Sequence, residues 1–439
     1  MKLKRRIFIF LLVIVLTIIG CCNRQIKKPI ENEENKEIYL SDGKGIYILI
    51  DTDMIDSEKI KTEICNGNAS TIKEEYEKIN KRDKLEEFIA VRNILGIAEC
   101  YLGEYEKAYQ SFLDAIKIIE EEELSNSNYF KAVLYNNAGA ISLNLSNFAV
   151  EDENLKKAEE SCEDSYMKLI IRINQESRVK TLSTKKEFDE MIAQCKKLMR
   201  MEKEIKNSSQ FVTFLGARYV GVGYMMQGKE REGIKILGQY LSLVPETAEY
   251  YMVKAQLLGQ RGQCYTRIGN YAEGMEDIRI AIELTEKTVN KCSKELAYEY
   301  VRMAGCYAGQ EEWSKALYYL EKALPGYKQA TSGDKEVLYY NIGYACERLG
   351  NYEKAEEYFF KTYVETQKII ENTGEIVGEG YDSYIVSHLY DLYILKNGMR
   401  AYIGEEGVKI QEKKDKEKIS IDQWMKEGIK KAETDDDNE

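Results

Sequence analysis

The chain is 439 residues long and carries 3 prolines, 1 histidine and 33 tyrosines. Proline costs about 3 kcal/mol in a helix interior, so this scarcity leaves almost the whole length free to be helical. The lone His388 argues against His-dependent acid–base chemistry, His-rich zinc sites and Ser-His-Asp triads, and 31% charged with 44% hydrophobic residues suits a folded chain rather than a disordered one.

At the start, Lys2, Lys4, Arg5 and Arg6 lead into a mainly apolar run from Ile7 to Ile19. As a helix that run rises about 20 Å, short of a bilayer core of about 30 Å. A basic start with a short apolar stretch is the export-signal pattern. The junction Ile18-Ile19-Gly20-Cys21 resembles the lipobox of bacterial lipoproteins. The resemblance implies a signal peptide over 1–20, a diacylated (palmitate-bearing) Cys21 and a lipoprotein anchored on the extracytoplasmic side of a membrane; an uncleaved N-terminal anchor is the alternative. Loss of residues 1–20 removes four cations and moves the net charge from −12 to −16. So acidic a chain disfavours nucleic acid as a partner. Residues 21–55 read as a tether. Asn23 to Lys36 is solvated, and the Ser-Asp-Gly-Lys-Gly run between Ile38-Tyr39-Leu40 and the Ile46–Ile50 stretch has hairpin chemistry. An isolated hairpin is marginal, so this one would have to dock on helices.

From residue 56 to 400 the pattern is helical and repeats. Leu95-Gly96 leads to Gly103, Tyr105, Ala108, Phe112 and Ala115. Gly221 leads to Gly228, Gly233 and Leu237, and Gly262 to Gly269, Tyr271, Gly274 and Ile278. Ala304 leads to Trp313, Ala316 and Leu320, and Gly343 to Gly350, Tyr352, Ala355 and Phe359. A small residue lets a second helix approach, a Gly seven positions on ends the first helix, and an aromatic with Ala opens the apolar stripe of the second. These segments resemble the tetratricopeptide repeat, which implies an all-α, right-handed superhelical solenoid of about 7–8 helix pairs. Residues 132–165 fit less well, since Glu151 stands where a small residue is expected, and residues 165–200 have no Gly at the turn. Gly221 to Gly262 is 41 residues, Gly262 to Ala304 is 42 and Ala304 to Gly343 is 39. A spacing above the usual 34 or so is similar to the longer units of kinesin light chain and of bacterial Rap-type peptide sensors.

In such a solenoid the inner face belongs mostly to the first helix of each pair. Mapped by spacing, it holds Asn93, Tyr101, Asn136, Asn137, Arg218, Tyr219, Gln256, Gln260, Gln263, Arg267, Tyr298, Arg302, Tyr340, Asn341, Tyr344 and Arg348. Amides both donate and accept, as an extended backbone requires, while Arg forks suit carboxylates and Tyr supplies rigid contact area. The plain alternative is that every solenoid helix needs some polar face. The carboxylate clamp of chaperone-tail repeats is not reproduced, because Val222 stands where that resemblance calls for Asn.

Cys100, Cys264, Cys306 and Cys346 share one phase of the first helices and are expected to pack as small apolar residues. No CxxC pair, Gly-rich phosphate loop, GxSxG or HExxH occurs, so neither metal, cofactor nor enzymatic activity is expected. His388 is expected to pack or cap, Glu356-Glu357 to face solvent, and residues 401–439 to form a charged helix around Trp424 followed by a disordered tail. The expected function is a protein- or peptide-binding scaffold or adaptor. A sensor or carrier for short secreted signalling peptides is the second reading.

Overall fold

The computed structural model describes residues 38–52, 55–79, 84–122, 124, 127–142, 145, 148–177, 184–328, 332–373, 385, 387–389, 391–393, 400–404, 407–411 and 421–436. The signal peptide, Cys21 and most of the tether lie outside the described residues, as do residues 437–439 at the end of the tail. An antiparallel hairpin comes first, β1 (Ile38–Ser41) and β2 (Ile46–Leu49), with Ile38 opposite Leu49 and Ser41 opposite Ile46. Eight helix pairs follow among the described residues. They are α1 (Ser57–Cys65) with α2 (Ala69–Tyr76), α3 (Leu85–Tyr101) with α4 (Tyr105–Glu121), and α5 (Ser127–Ser142) with α6 (Phe148–Ser161). Next come α7 (Ser165–Gln175) with α8 (Lys185–Glu202), α9 (Phe211–Met226) with α10 (Glu230–Leu241), and α11 (Tyr251–Arg267) with α12 (Tyr271–Thr288). The last two pairs are α13 (Lys294–Gly309) with α14 (Trp313–Tyr327), and α15 (Ser332–Arg348) with α16 (Tyr352–Thr373). A second hairpin, β3 (Arg400–Gly404) and β4 (Gly407–Gln411), precedes α17 (Ile421–Asp436).

One contact recurs through the array and explains the spacing of the small residues. A Cβ added at Gly96 would lie 2.5 Å from the Phe112 ring, at Gly139 2.6 Å from Leu155, at Gly221 2.7 Å from Leu237, at Gly262 2.7 Å from Ile278, and at Gly343 2.9 Å from Phe359. Each partner stands sixteen residues on, in the second helix of the same pair. Ala304 and Leu320 keep that offset, and both are buried. The first helix therefore contributes a notch and the second a knob, and stacking covers the faces that a single pair leaves open. Glu151, where a small residue was expected, is fully buried and bonded to the Ser177 hydroxyl.

The winding also brings the chain back onto itself. Lys61 Nζ lies 2.8 Å from Glu249 Oε2, and Asn290 N donates to Tyr101 O at 3.3 Å. Tyr105 OH donates to Glu295 Oε2 (2.9 Å) and accepts from Lys294 N (2.8 Å). Gly103 sits at φ +79°, and a Cβ there would be 2.8 Å from Cys292 O. The first two helix pairs thus meet the segment from Glu249 to Glu295 along a seam, and the hairpin lies inside the turn that the seam closes. At the far end, Trp424 of α17 packs on Phe360 (4.9 Å between ring centroids) and donates to Glu356 Oε1 at 3.1 Å, so Glu356 is a docking partner rather than a solvated residue. Among the described residues no helix is long and apolar enough to cross a membrane.

Candidate functional site

The inner wall begins with four asparagines. Asn93 stands on α3, Asn136 and Asn137 on α5 and Asn174 on α7, all nearly or fully buried. They bond the outer backbone edge of β2 and the residue after it. Ile46 N donates to Asn174 Oδ1 (2.9 Å), Ile48 N to Asn137 Oδ1 (2.9 Å) and Ile50 N to Asn93 Oδ1 (3.1 Å). Ile46 O accepts from Asn174 Nδ2 (2.9 Å) and Asn136 Nδ2 (3.0 Å), and Ile48 O from Asn137 Nδ2 (2.9 Å) and Asn93 Nδ2 (3.2 Å). Side-chain amides from three successive first helices thus replace a neighbouring strand, and they satisfy peptide groups that would be costly to bury unpaired. Asn93, Asn136 and Asn137 were expected on this face from their spacing. Asn174 was not, because α7 has no turn Gly from which to count.

The hairpin tip reaches further along the same wall. Asp42 Oδ1 accepts from Lys44 N and Gly45 N, both at 2.8 Å, and closes the turn. Tyr219 OH donates to Lys44 O at 2.5 Å. Lys44 Nζ pairs with Glu295 Oε1 at 2.9 Å and lies 4.4 Å over the Tyr298 ring. Glu295 also accepts from Ser293 Oγ at 2.9 Å; against the cost of burial, Lys44, with the Glu295 backbone N–H and the Tyr105 hydroxyl, holds its carboxyl below the usual range. Burial pushes Asp42 the other way, and the neighbouring Glu295 adds to the rise.

Beyond the tip the wall opens into a cavity of about 330 Å³, lined in part by Lys44, Arg218, Gln256, Gln260, Tyr298 and Arg302. A second cleft of about 560 Å³ carries Arg267, Trp313, Tyr340, Asn341 and Tyr344. Gln263, Val301, Arg302 and Val337 line both, so the two adjoin. The candidate groove residues therefore divide. Asn93, Asn136, Asn137 and Tyr219 hold the hairpin, Tyr101 lies at the seam, and Arg218 with the candidates from Gln256 through Tyr344 surrounds open space.

The arginines differ in their surroundings. Arg302 is paired with Glu299 on the same helix, and Arg267 Nε lies 2.9 Å from Glu230 Oε1. Arg348 lies 5.2 Å over the Trp313 ring, outside both sets of lining residues. Burial lowers the Arg218 guanidinium and raises the Glu299 carboxyl from their ordinary values. His388 stacks on Phe359 at 4.9 Å and meets Glu347 Oε2 at 3.0 Å, beside the cleft rather than in it. Cys100, Cys264, Cys306 and Cys346 are buried and free, and among the described residues no three His, Cys, Asp or Glu side chains converge as a metal site.

Tetratricopeptide repeat models match residues 255–288 and 295–363, the stretches that form α11–α12 and α13–α16. The chain thus carries tetratricopeptide repeats, and its fold is an all-α solenoid of their helix pairs. None of the curated proteins matches it. Among solved structures it is similar to a Rap protein complexed with competence and sporulation factor, at 14% identity over 72% of this chain and 87% of that one, with a TM-score of 0.48. It is also similar to a signal-transduction ATPase with a tetratricopeptide repeat sensor from Pyrococcus horikoshii (16% identity, 78% of this chain, 50% of that one, TM-score 0.45). A third is the APC/C hetero-tetramer Cut9-Hcn1 (13% identity, 77% and 70%, TM-score 0.42).

Proposed function

We propose that this chain is a membrane-anchored, extracytoplasmic lipoprotein whose solenoid acts as a scaffold holding a protein or peptide segment. It is read as a binding protein, not an enzyme. The observation that carries the binding reading is the division of the inner wall. Its first half grips an extended strand through backbone-directed amides, and its second half presents Gln, Asn, Arg and aromatic side chains around two adjoining open spaces. Tyr, Trp and Arg dominate the strong contacts of protein interfaces, and the second cleft collects all three. Anchoring rests on the basic start, the apolar run and the Gly20-Cys21 junction.

A short secreted peptide is the second ligand reading, favoured by a first cavity near the lower end of the range for small-ligand sites. Crosslinking in intact cells followed by mass spectrometry tests the scaffold, with Gln263→Trp as the control variant. That side chain lies where the two spaces join. The expected result is a protein or peptide segment attached to cleft residues of α13 or α15, reduced at least about tenfold by the bulky variant while helical circular dichroism is unchanged. An identical crosslink pattern with Gln263→Trp would remove the cleft from the function.

A further inference from the structure

We propose that Arg218 and Gln256 form a receptor for a single carboxylate carried on a small apolar group, in the cavity beneath the hairpin turn. The inference rests on the binding-scaffold reading and adds which chemical group of the ligand is recognised there.

Three side chains at this wall carry an unmatched buried polar atom, Arg218, Gln256 and Glu299. Arg218 Nε is wholly buried and bonds nothing, and no carboxylate among the described residues pairs with its guanidinium. The other arginines of the cleft are paired, Arg302 with Glu299 and Arg267 with Glu230. Gln256 is 1% exposed, and neither its Oε1 nor its Nε2 has a hydrogen-bond partner. The hairpin turn pins it, since a Cβ on Gly43 would fall 2.3 Å from Gln256 Cγ. Arg218 lies 5.2 Å over the Tyr219 ring, and Glu299 and Asp42 favour its charge without a direct ion pair, while an amide buried without partners costs free energy that folding alone does not repay. A ligand that supplies the missing partners does repay it.

The donor set selects the ligand. A guanidinium fork matches the two oxygens of a carboxylate, and Gln256 Nε2 can donate to the same group. Gln256 Oε1 needs a donor, which the last amide N–H of a peptide would provide and a simple acid would not. Val222, Met225, Val301 and Val337 line the same cavity and suit an apolar side chain. Glu299 Oε2, also buried and unpartnered, opposes an anion, but Arg302 is bonded to the same carboxyl and offsets it.

The test titrates full-length protein with N-acetyl-Ala-Leu, with its C-terminal amide, and with 4-methylpentanoate. Binding of the dipeptide acid at least tenfold tighter than its amide supports the receptor. Loss of that preference in Arg218→Met, with the unliganded melting temperature equal or higher, assigns it to this guanidinium. Tighter binding of the dipeptide acid than of 4-methylpentanoate identifies a peptide end, while equal binding identifies a free small acid. Equal affinity for acid and amide, no binding of either, or a lower melting temperature for Arg218→Met with the preference retained overturns the proposal. If intact-cell crosslinks to the cleft persist in that case, the scaffold reading stands without it; if the wild type gives no crosslinks, the scaffold reading falls by itself.

Discussion

Glu311 adopts φ +60° at the turn between α13 and α14. The equivalent turns place Gly103, Gly228, Gly269 and Gly350 at φ between +70° and +81°. A side chain in that left-handed region costs roughly 1–2 kcal/mol, and glycine avoids it. Glu311→Gly is therefore expected to stabilise the protein by about 0.5–1 kcal/mol, read as a higher denaturant midpoint at unchanged slope. No gain would mean that the exposed Glu311 side chain offsets its own strain. The turn glycines and the notch residues were readable in sequence, because backbone sterics and close approach restrict them position by position. The partners of the groove residues were not, since Lys44 and Glu295 come together only through a contact 251 residues apart in the chain.

The hairpin shows what a local element owes to its surroundings. Its turn chemistry stands in five consecutive residues, Ser41 to Gly45, yet two strands of four residues are unstable alone. Ile46, Tyr47, Ile48, Leu49 and Ile50 are all fully buried, each worth about 1.5–3 kcal/mol on burial. That burial argues for a permanent filler of the first half of the groove, which an incoming peptide would not displace. Asn137→Leu removes both of that amide's bonds to Ile48 and the one it accepts from Asn136 Nδ2. Ile48 O keeps Asn93, but Ile48 N loses its acceptor. A loss of about 2–3 kcal/mol is expected, measurable by denaturant unfolding together with faster exchange of the Ile48 amide. Wild-type exchange at Ile48 would show that the amide ladder does not hold the strand.

Across the whole molecule, the seam decides which part of the groove stays open. Glu295 sits at its centre with Lys44, Tyr105 and Ser293, and its carboxyl is held below the ordinary value. The stability it contributes is therefore present above the ordinary carboxyl range and lost as pH falls through its depressed value. Glu295→Gln is expected to cost about 3 kcal/mol near neutral pH, with a smaller penalty in acid. A penalty independent of pH would mean that the ion pair contributes nothing as a charge. Asp42, raised by burial and by Glu295, acts with the opposite sign, so the informative quantity is the difference between the two pH profiles. Cys21→Ala is expected to release the protein from the membrane fraction and abolish lipid labelling. Unchanged fractionation of that variant would sink the lipoprotein reading.

Sequence by itself determined the helix pairs and their notch-and-knob spacing, because both follow from sterics or periodicity within about forty residues. Scarce proline permitted the helices, and the single histidine argued only against histidine-dependent chemistry. Only the tertiary structure decided that Asn93, Asn136 and Asn137 serve the chain's own strand while Arg218 and Gln256 face a cavity. That division depends on superhelical closure, which brings residues about two hundred positions apart into contact, and no local pattern encodes such a distance.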